Sequence, residues 1–274
     1  MGDVFAVYFS PTGNTAKCVC ALAKGIAEEV NGGDFFKIDL TAFEDRIGVY
    51  GFGEDDIVVL GVPTYAGRVP NKILPYLQES VWAEGAYAVG LVTFGNRSMD
   101  DSLKELCITM EENDFRLVGA VSAVTEHAFA TGPAAGRPNE DDLKWLEEEG
   151  RKYAEKIRNF AGKTLNIASI PGHEPEQMVY YTPKKPDGTP AVFLKAKPVT
   201  DESRCSGCGA CRAICPMNCY KNSVTEPEGT CIKCQACIAV CPGKAKEFTD
   251  EEFLAHRQML EKNYSGIERE YRAY

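Results

Sequence analysis

Short apolar runs alternate with stretches of helical period through the first 165 residues. Residues 3–9, 56–62, 86–94 and 116–124 are apolar at most successive positions, as buried parallel strands are, and residues 35–40 also read as a strand. Between them the spacing predicts helices over 14–30, 71–78, 98–113 and 139–160. Strands that alternate with helices imply right-handed crossovers and an α/β fold with a doubly wound, five-stranded parallel sheet. After residue 165 the pattern breaks. Residues 166–197 are rich in proline and have no period, which predicts an extended connection. Its Met178, Tyr180, Tyr181, Val192, Phe193 and Leu194 argue that it packs against its neighbours. Residues 249–264 read as a helix capped by Thr249, with Glu252 three residues on, and its Phe253, Leu254, Met259 and Leu260 are expected to pack back onto the first domain. The last ten residues are expected to fray. Four segments result: 1–165, 166–197, 198–248 and 249–274.

The first strand ends in Ser10-Pro11-Thr12-Gly13-Asn14-Thr15 and a helix follows. A strand, a hydroxyl-rich turn and a helix N-terminus form an anion site, because backbone N–H groups and the helix dipole face the charge. No Lys stands in the turn, so it is not a nucleotide P-loop, and Gly51-Phe52-Gly53 precedes Glu54-Asp55-Asp56, the wrong context for a dinucleotide.

The third segment carries the most specific signal. It reads Cys205-x-x-Cys208-x-x-Cys211-x-x-x-Cys215-Pro216 and then Cys231-x-x-Cys234-x-x-Cys237-x-x-x-Cys241-Pro242. Each cysteine of the second run lies 26 residues after its counterpart, 231 against 205 and 241 against 215. A structural zinc site takes two separated Cys pairs on a tetrahedron; three thiols within seven residues suit one corner of an iron–sulfur cube instead. Four cysteines remain outside the two runs. Cys18, Cys20 and Cys107 are expected as small buried hydrophobes, and Cys219 is surplus to a complete spacing.

These runs resemble bacterial two-cluster ferredoxins, and Ser10 to Thr15 resembles the flavodoxin loop for the FMN phosphate. Together the ends of the chain are similar to the flavodoxin–ferredoxin fusion proteins of anaerobes. The resemblance implies two [4Fe-4S] clusters, one held by Cys205, Cys208, Cys211 and Cys241 and the other by Cys231, Cys234, Cys237 and Cys215, since the fourth cysteine of each run serves the other cluster. It also implies FMN, with Ser10, Thr12, Gly13, Asn14 and Thr15 at the phosphate. In a flavodoxin-like sheet the flavin lies at the carboxyl ends of the strands, where the order reverses. Pro63, Thr64, Tyr65, Ala66 and Gly67 after the third strand, and Thr93, Phe94, Gly95 and Asn96 after the fourth, then become its loops. Tyr65 is placed to stack on the ring. Arg68 is expected either near the ring or in a surface ion pair, and His127 near the flavin or the second domain.

Charge and length change the picture little. The 274 residues suffice for two domains. Residues 1–165 hold 26 acidic and 16 basic side chains and residues 166–274 hold 14 of each, so the acidity belongs to the first domain. An acidic surface excludes nucleic acid as the expected partner and favours redox partner proteins with basic patches. The opening residues carry no basic n-region, so neither export nor membrane insertion is expected, and the thiols fit a reducing cytoplasm. Two functions remain open: an electron carrier between FMN and the clusters, and an FMN-dependent reductase of a small acceptor such as a quinone, a disulfide or oxygen.

Overall fold

The computed structural model describes residues 2–274. Along the first domain run β1 (Val4–Tyr8), α1 (Asn14–Val30), β2 (Phe36–Asp39), β3 (Tyr50–Phe52), β4 (Ile57–Pro63), α2 (Leu74–Ser80), β5 (Val81–Ala83), β6 (Tyr87–Phe94), α3 (Ser102–Glu112), β7 (Arg116–Val124) and α4 (Glu140–Arg158). The remainder holds β8 (Val199–Thr200), α5 (Ala210–Ile214), α6 (Ala236–Ala239), β9 (Lys246–Glu247), α7 (Glu251–Tyr264) and β10 (Arg272–Ala273).

The five expected strands pair in parallel in the order β2-β1-β4-β6-β7. Counted along the sheet's own strands this is 2-1-3-4-5, the flavodoxin-like order. β4, β6 and β7 are buried almost throughout, because helices cover both faces. α1 and α4 pack on one face around Val19, Leu22, Ile26, Leu146 and Tyr153. α2 and α3 pack on the other around Ile73, Leu77, Leu103, Leu106 and Met110. α4 starts at a capping box in which Asn139 and Asp142 satisfy each other's backbone amides.

Three features depart from the expected pattern. β3 and β5 form a separate two-stranded parallel sheet, where the pattern marked no element. The terminal segment does not fray: β10 pairs antiparallel with β7 through Arg272↔Ser122 and Ala273↔Val121, adding a sixth strand, and Tyr271 is buried against Trp145. The cap of α7 is Asp250, whose carboxylate accepts the Phe253 amide at 2.9 Å, and not Thr249. A carboxylate interacts with the positive end of the helix more strongly than a hydroxyl does.

Residues 166–197 contact the first domain through a few bonds, and not through every residue named above. Tyr181 N–H donates to the Ala66 carbonyl at 2.8 Å, the Arg68 guanidinium donates to the Met178 carbonyl, and Lys104 pairs with Glu174 at 2.7 Å. Tyr181 and Phe193 turn inward, whereas Val192 and Leu194 face solvent. The segment and α7 tie the second domain to the first, and Arg46, after β2, donates to the Pro216 carbonyl across the same boundary.

Candidate functional site

The turn after β1 is open to an anion. Ser10 Oγ accepts the Ala16 amide at 2.9 Å and the Ser10 carbonyl accepts the Gly13 amide at 3.1 Å, which closes the loop on itself. Among the described residues no protein group takes the amides of Thr12, Asn14 or Thr15, and the first turn of α1 holds no acidic residue. Three free amides at the N-terminus of a long helix fit a phosphate.

Beyond this turn lies a cavity of about 240 Å³. Eleven of the fourteen residues expected at the flavin line it: Thr12, Asn14, Thr15, Pro63, Thr64, Tyr65, Ala66, Gly67, Thr93, Phe94 and Gly95. Ser10 and Gly13 shape the loop from behind. Asn96 turns away: its amide donates to the Tyr264 and Ile267 carbonyls at 2.7 and 2.8 Å, because the arriving C-terminal segment offers carbonyls that need a donor. Thr15 and Thr93 join their hydroxyls at 2.7 Å under the floor of the cavity. Tyr65 to Arg68 form a tight turn with φ of 48° at Ala66 and 82° at Gly67, bonded at both ends. Burial holds the Tyr65 hydroxyl well above the usual phenol range, with the neighbouring Cys234 and Cys231 adding to the effect. Arg68 does not reach the cavity; it forks onto Glu105, which also accepts the Val69 amide at 2.8 Å.

The opposite walls come from segments the sequence did not assign to the site. Tyr181 and Phe193 of the connection, His256 and Leu260 of α7, and Ile232 and Lys233 of the cysteine-rich domain all line it. Arg97 stands over the Tyr181 ring at 3.9 Å and pairs with Asp100. His127 is present, and its Nδ1 accepts the Phe129 and Ala130 amides, each at 3.3 Å. Burial, then His256 and Arg97, pull its pKa down to about 4, so the ring is neutral with its proton on Nε2.

The cysteines gather into two hollows. One is lined by Cys205, Cys208, Cys211 and Cys241, the other by Cys215, Cys231, Cys234 and Cys237. The fourth cysteine of each run thus sits with the other run. All twelve cysteines are free. Backbone amides already face the sulfurs: Cys219 N–H donates to Cys215 Sγ and Ala245 N–H to Cys241 Sγ, both at 3.3 Å, and Lys233 N–H to Cys231 Sγ at 3.4 Å. Among the described residues no three His, Cys, Asp or Glu side chains converge on a single ion. A four-iron cube does not need them to, since it takes one thiolate at each of four irons. The first hollow is the outer one, with Cys208 exposed; the second abuts the flavin-type cavity, since Ile232 and Lys233 line both.

A doubly wound sheet in flavodoxin-like order leads into two four-cysteine hollows, so that a flavodoxin-like fold is followed by a paired cysteine framework. Residues 198–221 and 228–249 each match a family described as 4Fe-4S binding domain. No curated protein matches the chain. Similar solved structures include a flavodoxin from the domain Archaea, 15% identical over 57% of this chain and 99% of that one, with a TM-score of 0.38. A WrbA-like flavodoxin from Agrobacterium tumefaciens is 16% identical over 58% of this chain and 99% of that one, with a TM-score of 0.37. Rubredoxin oxygen:oxidoreductase from Desulfovibrio gigas is 15% identical over 59% of this chain and 37% of that one, with a TM-score of 0.39. The flavodoxin-like assignment rests on strand order. No helix is long and apolar enough to cross a membrane among the described residues.

Proposed function

We propose that the cavity binds FMN, that the two hollows bind [4Fe-4S] clusters, and that the chain relays electrons between a redox partner protein at the outer cluster and the flavin. When bound, each cluster passes one electron and the flavin exchanges two, so their union converts between single and paired transfers. The observation that carries this reading is the Cys231–Cys234 loop, which contributes residues to the inner hollow and to the cavity wall at once. The role of the chain's own residues is placement. The amides of Thr12, Asn14 and Thr15 would hold the phosphate, Tyr65 and Phe94 would flank the ring, and the eight paired cysteines would fix the clusters. Walls from the connection and α7 exclude water, which strengthens every electrostatic effect inside.

The reductase reading has one observation in its favour. An open cleft of about 490 Å³ lies behind the 126–129 loop, and Glu126, His127, Ala128 and Phe129 line both it and the cavity, so a small acceptor at this cleft would be one loop away from the cavity. The connection and α7 covering the cavity favour the carrier.

Anaerobic purification, assay of iron and FMN, and a stepwise reductive titration test the relay. About eight irons and one FMN per chain, reducing at interleaved potentials, is the expected result. Full iron with no flavin, even after FMN is added, overturns it. Rapid turnover with a quinone, a disulfide or oxygen, without a protein partner, would favour the reductase.

A further inference from the structure

The two cysteine runs are internal copies of one loop, and they differ where it matters. In the outer run the second and third spacer residues are Gly207 and Gly209, with φ of 70° and 78°. In the inner run the same places hold Lys233 and Gln235, still left-handed at 56° and 67°. Glycine adopts this conformation freely, whereas a residue with a Cβ is strained there. The inner loop therefore keeps two unfavourable residues where its copy shows that glycine serves. Non-glycine residues in this region are held there by the structure around them and cluster at functional sites.

The positions of the side chains indicate a task. Lys233 lines both the cavity and the inner hollow. Its ammonium is fixed by two carbonyls, that of Leu194 in the connection and that of Cys231 at 3.1 Å. Gln235 is buried, and its amide donates to the Lys233 carbonyl at 2.8 Å, bracing the turn that aims the lysine. Nothing from the outer hollow lines the cavity. Among the described residues lining the cavity, the other full cation is Arg97, which is neutralised by Asp100, and the acid is Glu126.

We propose that Lys233 is a positioning cation for the electron path. Held at the partition between flavin cavity and inner cluster hollow, its charge favours the more negative, reduced state of both groups, and Gln235 holds the turn that puts it there. This rests on the relay reading above. It also gives the asymmetry of the two runs a physical meaning: at this position the run that faces the flavin carries a charge, and the run that faces solvent has glycine.

The test compares the wild type with Lys233→Gln, Lys233→Arg and Lys233→Gly as full chains loaded anaerobically, reading iron, flavin, thermal midpoint and the midpoint potential of each centre. Lys233→Gln keeps a donor for the two carbonyls but no charge. It is expected to keep its iron, to lower the potentials of the flavin and of one cluster by about tenfold in equilibrium constant, and to leave the second cluster unchanged. For a one-electron centre that is about 59 mV. Lys233→Arg restores the potentials. Lys233→Gly relieves the turn, so its thermal midpoint is expected to hold or rise while the potentials fall as in Lys233→Gln. Unchanged potentials in Lys233→Gln, an equal shift of both clusters, or failure of arginine to restore them overturns the assignment alone. A wild type that holds iron but no FMN overturns the relay, and this assignment with it.

Discussion

Two backbone amides converge on one nitrogen of His127, and the neighbouring loop has been emptied to admit the ring. A Cβ on Gly95 would stand 2.4 Å from His127 Cδ2 and 2.9 Å from its Cα. Gly95→Ala is therefore expected to push loop and ring apart and to weaken FMN binding by about tenfold or more, with iron content unchanged; titration of the loaded and stripped chain with FMN measures it. Protonating Nδ1 would set a third N–H against the Phe129 and Ala130 amides, which is why the depressed pKa of about 4 agrees with the geometry. The charged and titratable neighbours are Glu126 beside it, Arg97, Lys233, His256, and Arg257 across the cleft. In the unfolded chain the same ring titrates near 6.5, so the unfolded state binds the proton first as pH falls. Stability from this group is complete above about pH 6.5 and declines as pH falls towards 4, by about 2 kcal/mol between pH 6.5 and 5. Denaturation midpoints over that range should fall less in His127→Gln than in the wild type. Neither relation was legible in the sequence, where Gly95 reads only as one residue of the loop after the fourth strand and a lone histidine has no partner in view. Cys219, by contrast, is explained by the repeat: it occupies the place of Ala245, with the same amide-to-sulfur bond at 3.3 Å, and Cys219→Ala is expected to retain about eight irons by direct assay.

At the level of elements, the strands and helices of the first domain follow from period alone. Each of the five runs is long enough to be a strand and all but the second, which holds Lys37 and Asp39, are apolar nearly throughout; Asn14–Val30 and Arg116–Val124 fall at the residues the pattern marks. The C-terminal strand had no such signal. Arg272 and Ala273 are exposed and carry no alternation; β10 exists because β7 offers a free edge and Tyr271, just before it, finds a buried place over α4. Arg137 lies over the Tyr271 ring at 4.8 Å while pairing with Asp142, and Tyr153 donates to the carbonyls of Ala120 and Tyr274 at 3.2 and 3.3 Å. Tertiary partners hold this strand, so removing one side chain should release it. Tyr271→Ala is expected to cost about 3 kcal/mol, the usual cost of truncating a buried aromatic, and to expose the β7 amides to exchange while the cluster spectrum persists. Denaturant unfolding and hydrogen exchange of residues 116–124 check it; protected β7 amides in the variant would show that the strand does not depend on that ring.

Across the whole molecule, the cysteine spacing identifies the hollows and the turn after β1 identifies the anion site, but neither says how they face one another. That information resides in what fills the loops: Ile232, Lys233 and Gln235 in one run against Ser206, Gly207 and Gly209 in the other. Apolar and charged side chains at the first run would have been in water; at the second they are covered by Tyr65, Phe193 and the connection. The resulting order is outer hollow, inner hollow, flavin cavity, and it predicts opposite effects for two equivalent ligand changes. Cys208→Ser removes the exposed outer site and Cys234→Ser the buried inner one, each expected to take iron from about eight to about four. After a pulse of reductant captured at the iron–sulfur domain, the wild type should show a transfer to flavin whose rate is independent of protein concentration. Cys208→Ser should keep that phase, fed directly from the inner cluster. Cys234→Ser should lose it, although its outer cluster still reduces, because the Cys231–Cys234 loop is the wall that the inner hollow and the cavity share. The reverse pattern, with the phase lost in Cys208→Ser and kept in Cys234→Ser, would place the flavin contact at the other hollow and overturn the order.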